Sequence, residues 1–239
     1  MTTRTPFEQR RRDEALRRAR RRARIAALAI GPVAVAAGVA FSPLLDVDTV
    51  TVTGNARITA DAIRAAAKVG TGTSLVTVDT TAVRHRVARL QAVKSVTVTR
   101  SWPSGIRIRV IERVPVVAAK RPGSFDLYDI DGVLVATVPT APVNTPALTV
   151  PGEPTAAVVT ATVDLLRALP ATLRVHVRDL RADATGSLAF RFSDGSEVLW
   201  GDADRTAEKV HTLELLVRQH ATRYDVRVPD RPAVVPRTP

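Results

Sequence analysis

Residues 94–116 read KSVTVTRSWPSGIRIRVIERVPV, and two periods of two meet inside them. Val96 and Val98 alternate with Thr, and Ile106, Ile108 and Val110 alternate with Arg107 and Arg109, so two half-buried strands are expected. Trp102-Pro103-Ser104-Gly105 between them is a turn. Upstream, Val50 and Val52 alternate with Thr in DTVTVTGN, a further strand that runs into a turn at Gly54-Asn55. Two segments of helical period lie in between. Thr59 is placed to cap one carrying Ile63, Ala66 and Ala67, and Asp79 to cap another carrying Val83, Val87 and Leu90 at i, i+4, i+7. The order is strand, helix, helix, strand, strand.

Before this region the chain changes character. Residues 1–24 hold ten Arg against Glu8, Asp13 and Glu14, which places seven of the twelve net positive charges on a tenth of the 239 residues. IAALAIGPVAVAAGVAFSPLL, residues 25–45, then runs for 21 positions without a charge. As a helix it would span about 30 Å, the thickness of a bilayer's hydrocarbon core. Arg21, Arg22 and Arg24 flank it on one side and Asp46 and Asp48 on the other. The positive-inside rule therefore orients it with the N-terminus cytoplasmic. The arm is also attracted to anionic lipid headgroups, at about 1 kcal/mol per basic residue near the surface. A cleaved signal peptide fits less well, because the apolar run exceeds an h-region of about 7–15 residues. Nucleic acid is a weak alternative, since the arm lacks interleaved aromatics and any DNA-binding motif after it.

Downstream, FDLYDIDGVLVATV places Asp131-Gly132 between apolar runs, a hairpin signal. Pro154 to Leu169 reads as a helix with Val159, Thr162, Leu166 and Leu169 on one face. Leu188, Phe190 and Phe192 alternate into Asp194-Gly195, and Val198 and Trp200 return as a second hairpin. Asp204 is placed to cap a helix carrying Val210, Leu213, Leu216 and Val217, and a last strand from Tyr224 to Val228 ends at Pro229.

Chemistry is sparse. With no Cys, a disulfide framework, thiolate metal sites and a Cys nucleophile are excluded, and the spacing of the four His argues against a His-built metal site. No G-x-S-x-G, S-x-x-K, H-E-x-x-H or phosphate-loop motif occurs. Asp129 and Asp131 flank a turn, where acidic residues serve the backbone. His211 and His220, nine apart, would face opposite sides of one helix. Trp102 and Trp200 read as core or turn anchors rather than a binding platform. No enzyme activity and no cofactor are expected.

The ordered landmarks Val50, Gly54, Asn55, Gly70, Leu75, Asp79, Val96, Arg100, Pro103, Val110, Glu112, Arg113 and Pro115, with the later F-x-D-G-S-E-V-x-W-G and Y-D-V-R-V-P strings, resemble the FtsQ/DivIB family of bacterial division proteins, and the Arg-rich arm and Ala/Val-rich composition resemble its actinobacterial members. The resemblance implies an α+β chain: a cytoplasmic arm (1–24), a transmembrane helix (25–45), a POTRA domain of order β-α-α-β-β (46–114), a mixed β-sheet domain with flanking helices (115–228) and a Pro-rich tail (229–239). It implies a non-enzymatic, single-pass scaffold of the divisome in the cell membrane at the septum, its C-terminal domains outside. Such a scaffold would link early division proteins to the septal peptidoglycan synthesis complex. The implied partners are FtsB/DivIC-like and FtsL-like small bitopic proteins, with no nucleic acid and no small-molecule substrate. The segment Tyr224–Val235 is expected at a sheet edge that a partner strand could complete, with Arg227, Val228, Asp230 and Val234 as the contact residues. The alternatives are a membrane-anchored exported cell-wall hydrolase and a POTRA-type chaperone of an envelope translocation system.

Overall fold

A computed structural model describes residues 43–237, together with Gly38. The expected arm, with Arg21, Arg22 and Arg24, and nearly all of the expected membrane span lie outside the described residues. Among the described residues no helix is long and apolar enough to cross a membrane. The chain divides into two compact units. One holds the described residues up to Asn55 with Thr59–Val87 and Val96–Val110; the other holds Ala56–Ile58, Ala88–Ser95 and the described residues from Ile111 onward.

In the first unit β1 (Thr49–Thr53), α1 (Ala60–Ala67), α2 (Thr80–Ala88), β2 (Val93–Ser101) and β3 (Gly105–Glu112) follow in the expected order. The sheet order is β1-β3-β2, with β1 parallel to β3. Alternation decides which way β3 faces: Ile106, Ile108 and Val110 are buried, while Arg107 and Arg109 are exposed. Ile63 and Ala67 of α1, Val83 and Val87 of α2, and Val47, Leu75 and Val78 of the connecting segments are buried in the same unit. Both helix starts are capped as their sequences suggest. Thr59 Oγ1 accepts from Ala62 N at 3.2 Å, and Asp79 Oδ1 accepts from Thr81 N and Ala82 N at 2.9 and 3.0 Å. α2 stops at Ala88, so Leu90 falls beyond it. Gly54 is required where it stands. Its φ is +83°, and a Cβ there would lie 2.2 Å from the Val110 carbonyl oxygen.

The second unit is built on a nine-stranded sheet of order β12-β11-β10-β9-β8-β7-β4-β5-β6. Its strands are β4 (Pro115–Arg121), β5 (Ser124–Asp129), β6 (Leu134–Val138), β7 (Ala147–Thr149), β8 (Val177–Ala182), β9 (Leu188–Phe192), β10 (Glu197–Gly201), β11 (Ala221–Asp225) and β12 (Ala233–Pro236). Helices α3 (Ala156–Ala168), α4 (Ala171–Arg174) and α5 (Thr206–Leu216) complete it. Both expected hairpins form, as the antiparallel pairs β5–β6 and β9–β10. One core cluster joins Val163 and Leu166 of α3 and Leu213 of α5 to Leu180, Phe190, Val198 and Trp200 of the sheet. Phe190 meets Phe192 edge-on at 5.3 Å, so this aromatic-poor chain concentrates three of its few rings at one place.

Three local expectations are corrected. The last strand is not Tyr224–Val228: β11 covers Ala221–Asp225, and residues 229–239, expected as a tail, contain β12. Asp204 does not cap α5: Arg205 occupies the N-cap in a left-handed conformation with no side-chain cap bond, and the Asp204 N–H itself donates to Asp202 Oδ1. His220 lies past a short 3-10 turn (Val217–Gln219), off the helix that carries His211, so the two do not share a helix.

Candidate partner-binding edge

Tyr224 and Val226 are the apolar side chains that hold the C-terminal segment against the sheet, at 2% and 0% exposure. The Tyr224 hydroxyl accepts from Ala221 N at 2.9 Å, which satisfies the phenol inside the core. β11 is therefore an interior strand, parallel to β10 on one side and antiparallel to β12 on the other. The edge itself is β12. Registered pairs Arg223↔Val235, Tyr224↔Val234 and Asp225↔Ala233 leave one side of β12 unpaired within the sheet.

The four residues expected to contact a partner fall in different settings. Arg227 folds back on Asp225, with its Nε 2.9 Å from Oδ1 and its Nη2 2.6 Å from Oδ2. That guanidinium holds the Asp225 carboxyl below its ordinary range despite partial burial. The Arg227 stem runs over Gly201, where a Cβ would meet Arg227 Cγ at 3.2 Å. Val228 is exposed, the Val228 carbonyl receives Arg231 N at 2.9 Å in a turn, and Val234 packs against the core cluster from β12. Asp230 is held by the fork of Arg205, with both bonds at 2.7 Å, and Arg205 also pairs with Glu208. Arg205 lowers the Asp230 pKa and has its own raised above an already high value by the two carboxylates. At the far end Arg237 donates to Asp194 O at 3.2 Å and approaches its Oδ2 at 3.4 Å. Arg227, Val228 and Asp230 thus line the turn that presents β12, and Val234 lies in the strand.

The sequence reading took Arg205 for a rim charge and did not separate β12 from the strand before it. Arg205 is 25 positions from Asp230, and no spacing announces such a pair. Val234-Val235 lay inside the expected edge segment, but Pro229 and Pro232, which remove donors, hid a strand of its own. Proline is tolerated on an edge strand, where an N–H has no ladder partner to lose.

The two carboxylates at the β5–β6 turn are occupied structurally. Asp129, 2% exposed, pairs with Arg113 Nη1 at 2.5 Å and accepts from Asp131 N and Val133 N at 3.0 and 2.9 Å, closing the turn. Asp131 pairs with Lys94 at 2.9 Å, and that bond lowers its pKa. His176 Nδ1 lies 3.3 Å from Ser193 Oγ on the surface. Buried Lys209 donates to Asp202 O and Oδ1 at 3.0 and 2.8 Å. No group of three His, Cys, Asp or Glu able to hold a metal occurs among the described residues.

Comparison with known proteins gives this geometry its family. Residues 45–113 match the model of the POTRA domain, FtsQ-type, and residues 116–230 match that of cell division protein FtsQ/DivIB, C-terminal. The cell division protein FtsQ of Mycolicibacterium smegmatis is 39% identical over 209 residues, covering 86% of this chain and 62% of its own length. FtsQ of Streptomyces bingchenggensis is 37% identical over 204 residues, covering 81% and 77%. The chain spans less than two thirds of the mycobacterial protein. A solved structure, the major extracytoplasmic domain of DivIB from Geobacillus stearothermophilus, aligns with 42% of this chain and 87% of its own at 18% identity and a TM-score of 0.34. With both domain models matched in order, and a relative 37% identical covered over more than three quarters of its length, the chain belongs to the FtsQ/DivIB cell division family.

Proposed function

We propose that the protein is a non-enzymatic, single-pass membrane scaffold of the divisome. It connects early division proteins to the septal peptidoglycan synthesis complex through contacts made outside the cytoplasm. Its N-terminal arm is cytoplasmic and rests on anionic headgroups, and its partners are small bitopic proteins of the FtsB/DivIC and FtsL kinds. The observation that carries this reading is the edge of the nine-stranded sheet: a four-residue strand with one side unpaired, fixed at its turn by Arg205–Asp230 and beyond its end by Arg237–Asp194. A fixed edge has already lost much of the entropy that strand addition would otherwise cost, so main-chain bonds to a partner strand convert more fully into affinity. Alternate side chains such as Val235 supply selectivity.

The test is site-specific photocrosslinking of the full chain in dividing cells. A photoreactive residue replacing Val228 or Val235 is expected to capture a small bitopic division protein, and one replacing Val133, beside the opposite edge at β6, is not. Capture from Val133 alone, or from none of the three, removes the β12 edge as the contact.

A further inference from the structure

Three large apolar side chains of the first unit stand in water at one end of it. Leu44 is 78% exposed, Trp102 58% and Val76 41%. Backbone bonds place them there together. Leu75 N donates to Leu45 O at 2.7 Å and Val47 N to Thr73 O at 2.9 Å, which ties the loop carrying Val76 to the segment carrying Leu44. Asp48 N donates to Ser104 O at 2.8 Å, which brings the β2–β3 turn carrying Trp102 to the same point. Arg100 closes the third side, with its guanidinium bonded to the carbonyls of Leu75 and Val78 at 2.8 and 2.7 Å. β1 and β3 both start at this end, since they run parallel with Thr49 opposite Gly105.

The position of this end in the chain identifies what covers it. The uncharged 21-residue run ends at Leu45, inside the patch, where Pro43–Leu45 form a 3-10 turn, so a membrane span supplied by that run delivers the patch to the membrane surface. Tryptophan favours that depth, where its ring is apolar and its indole N–H can remain wet. Charge does not drive the contact. Asp46 and Asp48 flank the patch and repel anionic headgroups, while the Arg100 guanidinium is turned onto the carbonyls of Leu75 and Val78. Resting on the membrane-anchored reading above, we propose that Trp102, Val76 and Leu44 seat this unit in the interfacial layer of the outer leaflet, through apolar contact with lipid rather than through headgroup charge.

The two tryptophans make this measurable, because Trp200 is 1% exposed and serves as an internal reference. The full chain is reconstituted into phosphatidylcholine vesicles whose acyl chains carry bromine near the headgroup. Trp102 emission is expected to be quenched, equally when anionic lipid is added and at high salt. Trp102→Phe is expected to abolish the lipid-dependent quenching, and Val76→Ser, which keeps both tryptophans, to reduce it. Thermal unfolding of each variant checks that the unit stays folded. A chain that sediments with vesicles but shows no quenching, with Trp102 open to aqueous iodide, overturns the proposal and leaves the anchor standing. Quenching confined to anionic vesicles, or persisting in Trp102→Phe, overturns it too. Failure to sediment with vesicles removes the anchor and this proposal with it.

Discussion

The Glu112 carboxylate collects three consecutive backbone donors: Ala56 N at 2.8 Å, Ile58 N at 3.0 Å and Arg57 N at 2.9 and 3.1 Å from its two oxygens. Burial pushes its pKa up, but the N–H groups of Ile58, Ala56 and Arg57 outweigh this and hold it below the ordinary value of 4.5. A depressed carboxylate contributes stability that is complete above the unfolded pKa and lost as pH falls through the folded one. Stability is therefore expected to decline below about pH 4.5. Glu112→Gln should flatten that part of the profile and cost about 1–2 kcal/mol at neutral pH, because the amide turns a donor toward N–H groups that need an acceptor. Denaturant unfolding as a function of pH reads both, and an unchanged acid limb in the variant would refute the assignment. The E-R pair at Glu112 and Arg113 stood among the family landmarks in the sequence, but what each residue holds did not. Their partners, at 56–58 and at Asp129, are set by tertiary approach and have no fixed offset.

At the scale of elements, regular alternation was legible and exceptions were not. β3 and β9 bury every second residue because one face of each sheet meets helices, and their period of two follows directly. α5 begins at a left-handed arginine instead of a capping Asp, because Arg205 is positioned by two carboxylates, Asp230 and Glu208. This gives the turn before β12 a defined control point. Arg205→Ala is expected to leave the melting temperature of the unit nearly unchanged, since exposed ion pairs contribute about 0–1 kcal/mol. It should nonetheless speed amide exchange in Ala233–Val235 relative to β9 and β10. Hydrogen exchange measured residue by residue decides this. Equal protection in parent and variant would mean that Val234 packing alone holds the strand.

Across the whole molecule, the domain order and the family were legible from about a dozen spaced landmarks, because turns, caps and strand periods recur at offsets that backbone geometry dictates. The proposed membrane orientation rests on charge asymmetry alone. It predicts that a reporter active only in the cytoplasm works when fused before Arg10 and is silent after Pro239; activity at the C-terminal fusion would overturn the proposed orientation and with it the proposed exterior role. One margin of the large sheet responds to load in a directional way. β11 and β12 form a two-strand flap joined to β10 by three registered parallel pairs, Glu197↔Arg223, Val198↔Tyr224 and Leu199↔Asp225. Tension applied sideways at β12 would open those pairs one after another, whereas tension along the strand would load them together. The flap's resistance to peeling then lies less in its ladder than in two buried rivets, Tyr224 and Val226, and the sheet's strength under pull depends on the direction from which a partner draws on it.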